Sequence, residues 1–174
     1  MCITNPVFYK GEIIAYIQVF GHVNDIGGAT PGSVPLAAYE IFQEGFIVPP
    51  VKLYDRGVRN EALYETILNN SRFIDDLQGD IDAFVNATFI GVARVEELCE
   101  RYGTVALAET FEALLDRCAR SLLETVLPMI PDGSYTFEDF CEYVDVQPRE
   151  TLEYVKLRAT MTKTPEGINF DFTG

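Results

Sequence analysis

The spacing of apolar residues changes twice along this chain, and the order of those changes limits the folds available to it. β-Branched and aromatic residues fill two short runs, 1–9 and 12–20, and the Lys10-Gly11 pair between them predicts a hairpin turn. The second run is almost wholly apolar, which predicts a strand buried on both faces. From Asn60 to Leu127 the apolar residues instead recur with the period of a helix face.

This helical region contains three residues that favour helix ends. Asn60 is suited to cap a short helix over 60–70, Gly103 to end a second helix over 81–102, and Pro128 to end a third over 104–127. Because only Gly103 separates the two long helices, they form either an αα-hairpin or a sharply bent pair. The residues predicted to face inward are Ile81, Phe84, Val85, Thr88, Val92, Val95, Cys99 and Tyr102 on the first, and Leu107, Phe111, Leu114, Leu115, Cys118 and Leu122 on the second.

Extended runs return after the helices, at 133–143, 151–163 and 168–172, and the turn residues 164–167 make the last two a hairpin. Strands, then helices, then strands is an α+β order rather than a repeating βαβ order. We therefore predict an α+β fold with N-terminal strands and a glycine-rich loop, two long central helices and a C-terminal β-hairpin. With 174 residues, we expect a single domain or part of a larger one over 1–174.

The net charge of −14 argues against two classes of partner. The chain has 27 acidic and 13 basic residues, and no lysine and arginine cluster supplies the basic face that nucleic acid or an anionic membrane requires. No apolar run approaches the roughly 20 residues of a membrane span, and the N-terminus does not resemble a signal peptide. These features predict a cytoplasmic protein with no nucleic-acid or membrane partner.

The thiols and hydroxyls give little indication of a nucleophilic site. Four cysteines are scattered without a Cys-x-x-Cys pair, which is typical of neither a disulfide framework nor a zinc site. Cys99 and Cys118 fall on the apolar faces of the predicted helices and are expected to be buried. A serine-hydrolase triad would have to use the sole histidine, His22.

The candidate functional site is the loop from His22 to Ser33, within the stretch GHVNDIGGATPGSVP. His22 stands three residues before Asp25, and imidazole and carboxylate are common ligands of a catalytic divalent metal. A solitary histidine at a strand end is more often a structural hydrogen-bonding residue. The glycines of the loop allow close backbone approach to a carboxylate or phosphate, but the loop lacks the Lys-Ser/Thr ending of a P-loop. From the glycine pattern alone, a tight structural loop is therefore favoured over a site that binds a carboxylate or phosphate.

Longer strings carry a family resemblance. The runs NPVFYKGEIIAYIQVFGHVNDIGGATPGS, YEIFQEGFIVPPVKLYDRG, ILNNSR, LQGDIDAFVNA, PDGSYTFEDF and INFDFTG resemble the hydantoinase B/oxoprolinase family, in order and from one end of the chain to the other. The combination of HVNDIGGATPGS with EGFIVPPVKLY is highly specific.

The resemblance implies roles for the loop residues. His22 matches the metal-ligand histidine of the family's His-x-x-Asp-x-Gly-Gly element, and Asp25 matches its acid, as a catalytic or metal-binding carboxylate or as an orienting group. Gly27, Gly28 and Ser33 match the loop that follows and are candidates for contact with substrate. The implied metal is zinc or manganese.

The resemblance also implies partners and a class of reaction. Such subunits work with an A-type subunit that binds ATP, and the amide or enolisable carbonyl of the substrate is activated by phosphorylation. The implied substrate is a small cyclic amide or a ketone. We favour opening of a lactam ring by an amidohydrolase because that class is broader. A subunit of an acetone/acetophenone-type carboxylase and a non-catalytic fragment acting in folding or assembly are the alternatives.

Several differences from the family pattern predict an incomplete site. Family members have a further His-x-x-Asp element just upstream of the matched segment and continue beyond its end, and many carry a second histidine where this chain has Val23. We therefore expect an internal fragment with an incomplete metal site, inactive without the remainder of the B-type subunit. Asn70, Ser71 and Arg72 match an Asn-Ser-Arg string to which the resemblance assigns no role.

Overall fold

The computed structural model describes residues 1–35, 38–145 and 151–173. Its chain divides into two compact units, Met1–Thr104 and Val105–Gly174. The predicted α+β fold is confirmed, because strands open and close the chain and long helices lie between them. Within the described residues, no helix has both the length and the apolar character needed to cross a membrane.

The first unit begins with an antiparallel hairpin of β1, Cys2–Tyr9, and β2, Glu12–Phe20. Its turn lies at Lys10-Gly11, as predicted. Burial of β2 on both faces was a wrong expectation, since Tyr16 is 64% exposed and Phe20 81% exposed. The reason is that β2 pairs only with β1, and the side chains on the outer face of this ribbon have no covering layer in the described structure.

A small ribbon of β3, Tyr54–Asp55, and β4, Val58–Arg59, precedes the first helix, α1, at Glu61–Leu68. The predicted cap is confirmed: Asn60 Oδ1 accepts a 3.1 Å hydrogen bond from the Leu63 N–H. The second helix, α2, spans Ile74–Tyr102 and so begins earlier than the predicted 81, while its end before Gly103 is confirmed.

The core of the first unit lies between α1 and α2. Its buried members are Tyr64, Ile67, Leu68, Leu77, Ile81 and Val85. On the predicted inward stripe of α2, Thr88 and Cys99 are also buried, whereas Tyr102 is 56% exposed at the helix end. Partly buried side chains from the hairpin and the loops pack against this cluster, among them Ile3, Val23 and Phe46.

Two glycines allow the hairpin to lie close to α2. A methyl group placed on Gly91, in α2, would lie 2.7 Å from Ile17 Cγ2 of β2. A methyl group on Gly21, just after β2, would lie 2.7 Å from Cζ of Phe84. The end of β2 is thereby held against the helix, and the loop that follows β2 starts from a fixed point.

The second unit contains all of α3, Thr104–Ser121, except its first residue. The helix continues into a wider helical turn, Leu122–Val126, and a 3₁₀ turn, Leu127–Met129. Three strands follow as an antiparallel sheet in the order β5-β6-β7: β5 is Gly133–Asp145, β6 is Thr151–Thr164 and β7 is Gly167–Asp171. The predicted hairpin of the last two strands is confirmed.

The inward face predicted for the third helix was largely wrong. Leu107 is buried, but Phe111, Leu114, Leu115 and Leu122 are between 40% and 66% exposed. Cys118 is also exposed, contrary to the expected buried thiol, while Cys99 is buried as expected. The apolar stripe exists in the sequence, but the described residues provide no layer that covers most of it.

Candidate functional site

The candidate site is the glycine loop, which we define as residues 21–35, between the end of β2 and the segment that follows. The loop starts from a reciprocal pair of hydrogen bonds: the Gly21 N–H donates to the Met1 carbonyl at 3.1 Å, and the Met1 amino group donates to the Gly21 carbonyl at 2.8 Å. Val23 then packs against the core between α1 and α2, while His22 is exposed. The backbone therefore directs the valine inward and leaves the imidazole accessible.

Asp25 is the most deeply buried polar residue of the loop, with none of its surface exposed. Its Oδ1 accepts hydrogen bonds from the N–H groups of Gly27 and Arg72, at 2.9 and 3.0 Å. Its Oδ2 accepts from the Gly32 N–H at 2.8 Å and from Arg72 Nη1 at 2.9 Å. Both oxygens are thus engaged twice, as a buried carboxylate requires.

These contacts determine the charge state of Asp25. Burial raises the pKa of the Asp25 carboxyl, but the hydrogen bonds from Arg72, Gly27 and Gly32 outweigh burial and hold the pKa well below its usual range. The carboxylate is therefore ionised at neutral pH, with its charge balanced by the Arg72 guanidinium.

Arg72 lies in the turn between α1 and α2 and joins that turn to the glycine loop. Besides its bond to Asp25, Nη1 donates to the Thr30 carbonyl at 3.1 Å and Nη2 donates to the Gly28 carbonyl at 2.6 Å. One planar guanidinium therefore bonds to three acceptors on the loop, a geometry that an ammonium group on a flexible stem does not reproduce.

Ser33 closes the loop from its far end. Its hydroxyl oxygen accepts from the Ile26 N–H at 2.8 Å, and the hydroxyl donates to the Gly27 carbonyl at 2.7 Å. Both hydrogen bonds are internal to the loop, so the hydroxyl shapes the backbone in this structure.

Gly27 and Gly28 are two loop positions where a side chain would collide with neighbouring backbone. Their φ angles are 87° and 83°, in the left-handed region. A methyl group on Gly27 would lie 2.8 Å from the Asn70 carbonyl oxygen, and one on Gly28 would lie 2.5 Å from the Gln43 carbonyl oxygen. The glycines are thus required where the loop passes close to two neighbouring backbone segments.

Two further anchors flank the histidine and the loop. Asn24 Nδ2 donates to Asp76 Oδ2, in the first turn of α2, at 3.1 Å. The Phe46 N–H donates to the Ile26 carbonyl and the Ala29 N–H to the Gln43 carbonyl, each at 2.8 Å. The loop is therefore held from the α2 side and from the 43–46 segment.

The members of the Asn-Ser-Arg string, which had no role assigned from sequence, have separable functions here. Asn70 Nδ2 donates to the Thr66 carbonyl at 2.7 Å, and Ser71 Oγ accepts from the Phe73 N–H at 3.0 Å. These two residues shape the turn, whereas Arg72 reaches the glycine loop. In the sequence, only the resemblance of this Asn-Ser-Arg string to the family pattern pointed to Arg72. No local pattern relates positions 25 and 72, so the contact between Asp25 and Arg72 was not predicted.

The arrangement suits one metal ligand better than two. Among the described residues, the exposed imidazole of His22 has no hydrogen-bond partner, either as donor or as acceptor. The Asp25 carboxylate, by contrast, has no exposed surface and no unused lone pair pointing at solvent. Among residues 1–35, 38–145 and 151–173, no group of three histidine, cysteine or acidic side chains converges as a metal centre. The imidazole of His22 is thus accessible to a ligand, and the described residues do not bring two further side chains of these types beside it.

Comparison with known proteins identifies the same family that the sequence strings resemble. The family model described as hydantoinase B/oxoprolinase matches residues 1–174. The beta subunit of caprolactamase from Pseudomonas jessenii is 36% identical over 135 residues, covering 78% of this chain and 23% of that protein. The B component of a putative D-/L-hydantoinase from Pseudomonas sp. (strain NS671) is 30% identical over 171 residues, covering 97% of this chain and 28% of that protein.

The fold agrees as well. The crystal structure of the ATP-dependent caprolactamase from Pseudomonas jessenii superposes with a TM-score of 0.83 at 31% identity, over 97% of this chain and 28% of that one. The chain thus spans about a quarter of the length of the caprolactamase and hydantoinase subunits named above. Matched over its whole length by the family model, it belongs to the hydantoinase B/oxoprolinase family.

Proposed function

We propose that this chain is part of the B-type subunit of an ATP-dependent amidohydrolase that opens the ring of a cyclic amide. The relatives named as components of a caprolactamase and of a putative hydantoinase support this reaction class. The ATP-binding site belongs to an A-type partner subunit in this proposal. The small-molecule substrate is a lactam or a hydantoin-like ring.

One observation carries the assignment of the site: His22 is exposed at the end of β2, on a loop whose neighbouring residues are all fixed by hydrogen bonds or packing. Such an imidazole is ready to bind a metal ion without reorganising the backbone. When bound, zinc or manganese would polarise the substrate carbonyl or activate water. His22 supplies one ligand, and the remainder of the B-type subunit supplies the others.

Asp25 has the orienting role in this proposal, not that of a ligand or a proton carrier. Each of its oxygens already accepts two hydrogen bonds from the protein, and exchanging these for a metal would leave buried N–H groups unpaired. Gly27, Gly28 and Ser33 shape the loop around this carboxylate. Contact of these three residues with substrate would occur through the loop backbone.

A second candidate is a non-catalytic unit that acts in folding or assembly. The observation that favours it is the large number of exposed apolar side chains in the second unit, for example Leu115, Phe137 and Phe172, which are at least 66% exposed. Concentration-dependent association in sedimentation, together with no contribution of His22 to any activity, would favour this candidate.

The test compares the purified 174-residue chain with the protein encoded by the complete reading frame. Each of the two is mixed with an A-type subunit. The expected result is ATP-dependent opening of a lactam or hydantoin ring by the complete assembly and none by the isolated chain. Incorporation of labelled bicarbonate into acetone or acetophenone, without ring opening, would instead identify a carboxylase. Turnover by the isolated chain would contradict the proposal that the site is incomplete.

A further inference from the structure

The strongest feature outside the proposed metal-binding residue is the set of contacts made by Arg72. Its backbone N–H and its guanidinium bond to opposite oxygens of Asp25, and the guanidinium also bonds to the carbonyls of Gly28 and Thr30. In the described part of the chain, no other lysine or arginine forms an ion pair with Asp25. One cationic side chain from a different part of the sequence therefore donates three hydrogen bonds to the loop between 25 and 32.

The backbone is held on both sides of His22, in part by the same contacts. On the N-terminal side, His22 follows Gly21, which is fixed by its two hydrogen bonds to Met1. On the C-terminal side, it is followed by Val23 in the core and by Asp25, whose partner is Arg72. Loss of the Asp25 contacts would free the loop immediately after the histidine.

We propose that Arg72 is a positioning residue, which holds the backbone after His22 by neutralising Asp25 and bonding to the Gly28 and Thr30 carbonyls. The role of His22 as a metal ligand rests on the proposed function, whereas the effect of Arg72 on the loop does not depend on that function. Arg72 is 39% exposed but Asp25 is fully buried, so removal of the guanidinium leaves the carboxylate without its counter-charge, and the effect is expected chiefly in the loop around Asp25.

The test uses the fact that His22 is the sole histidine, because its imidazole then gives one set of side-chain NMR signals. The variants are Arg72→Ala, Arg72→Lys and, as a matched control, Arg94→Ala. Arg94 is exposed on α2 and pairs only with the nearby Glu97 among the described residues. The measurements on the 174-residue chain are amide hydrogen exchange at Gly27 and Gly32 and relaxation of the His22 imidazole carbons.

In Arg72→Ala we expect exchange at Gly27 and Gly32 to rise about tenfold or more, the factor that follows from losing charge-assisted hydrogen bonds. We also expect the imidazole to become more mobile, while amides of the α1–α2 core keep their exchange rates. Arg72→Lys should lie between Arg72→Ala and the wild type, because an ammonium group retains the bond to Asp25 but not all three acceptors. Arg94→Ala should match the wild type.

Unchanged imidazole relaxation in Arg72→Ala would overturn the inference, whether or not the glycine amides exchange faster. If Arg72→Ala does not fold, Arg72→Lys decides in the same way, since wild-type relaxation in that folded variant would also overturn it. The metal content of the complete protein tests the proposed function separately. If the imidazole becomes more mobile in Arg72→Ala but the complete protein holds no metal, the positioning role is supported and the metal-binding role is not.

Discussion

Arg72 donates to both oxygens of Asp25, from its backbone N–H at 3.0 Å and from its guanidinium at 2.9 Å, although the two residues are 47 positions apart in the sequence. This relationship joins the turn between α1 and α2 to the glycine loop. A carboxylate with no exposed surface is stable there because each of its oxygens accepts two hydrogen bonds. The loop that carries His22 is built around this buried ion pair.

Replacement of Asp25 by alanine should therefore destabilise the first unit strongly. The N–H groups of Gly27, Gly32 and Arg72 would lose their acceptor, and each donor left unpaired away from water costs about 1–3 kcal/mol. The measurement is the free energy of unfolding in urea. The control is Asp55→Ala, because Asp55 is 64% exposed and its pair with Lys52 is worth no more than about 1 kcal/mol. Equal losses for the two variants would contradict the structural role of Asp25.

Replacing two glycines of α2 by alanine should change the stability of the chain in opposite directions. Gly79→Ala adds a methyl group where no atom lies within 4 Å, so the gain in helix propensity should stabilise the chain by about 0.5–1 kcal/mol. Gly91→Ala places the methyl group 2.7 Å from Ile17 Cγ2, and overpacking of about 1–3 kcal/mol should exceed that gain. Thermal unfolding of the two variants measures both signs. A stabilised Gly91→Ala variant would show that β2 does not pack closely on α2.

The phenol of Tyr64 should make stability depend on alkaline pH. Burial, followed by the 2.8 Å hydrogen bond to Asp82, raises the pKa of Tyr64 from 10.0 to about 12. A raised pKa means that the folded state retains the proton more tightly than the unfolded state. The contribution of Tyr64 to the free energy of unfolding is therefore complete below pH 10 and is lost as the pH rises towards 12.

Tyr64→Phe isolates that contribution. At pH 8 the variant should be less stable by about 0.5–1.5 kcal/mol, the net value of one hydrogen bond. The difference in unfolding free energy from the wild type should then shrink as the pH rises above 10. A difference that stays constant between pH 8 and 11 would show that Tyr64 does not titrate as its burial requires.

The local part of the fold was predictable from the sequence because it depends on local spacing. The turn at Lys10-Gly11, the Asn60 cap and the end of α2 before Gly103 all depend on residues close together in the chain, and all three are confirmed. The exposed loop containing His22 was identified for the same reason, since glycine-rich sequence excludes regular structure.

Contacts between distant residues were not predictable in this way. The outward faces of β2 and α3 were expected to be buried because apolar spacing shows which side of an element is apolar, not whether another element covers it. In the same way, the spacing of Asp25 to His22 predicted a metal-binding carboxylate but did not predict the contact of Asp25 with Arg72, from the turn after α1. Nothing in the local sequence relates those two positions.

We propose that His22 is a metal-binding residue of a B-type subunit, presented by a loop that Asp25 and Arg72 hold in place. The most direct measurement is the metal content of the complete protein, by mass spectrometry after dialysis, in the wild type, His22→Ala and Arg94→Ala. We predict stoichiometric zinc or manganese in the wild type and in Arg94→Ala, and loss of the metal in His22→Ala with unchanged circular dichroism and melting temperature. Full metal content in a folded His22→Ala variant would contradict the claim.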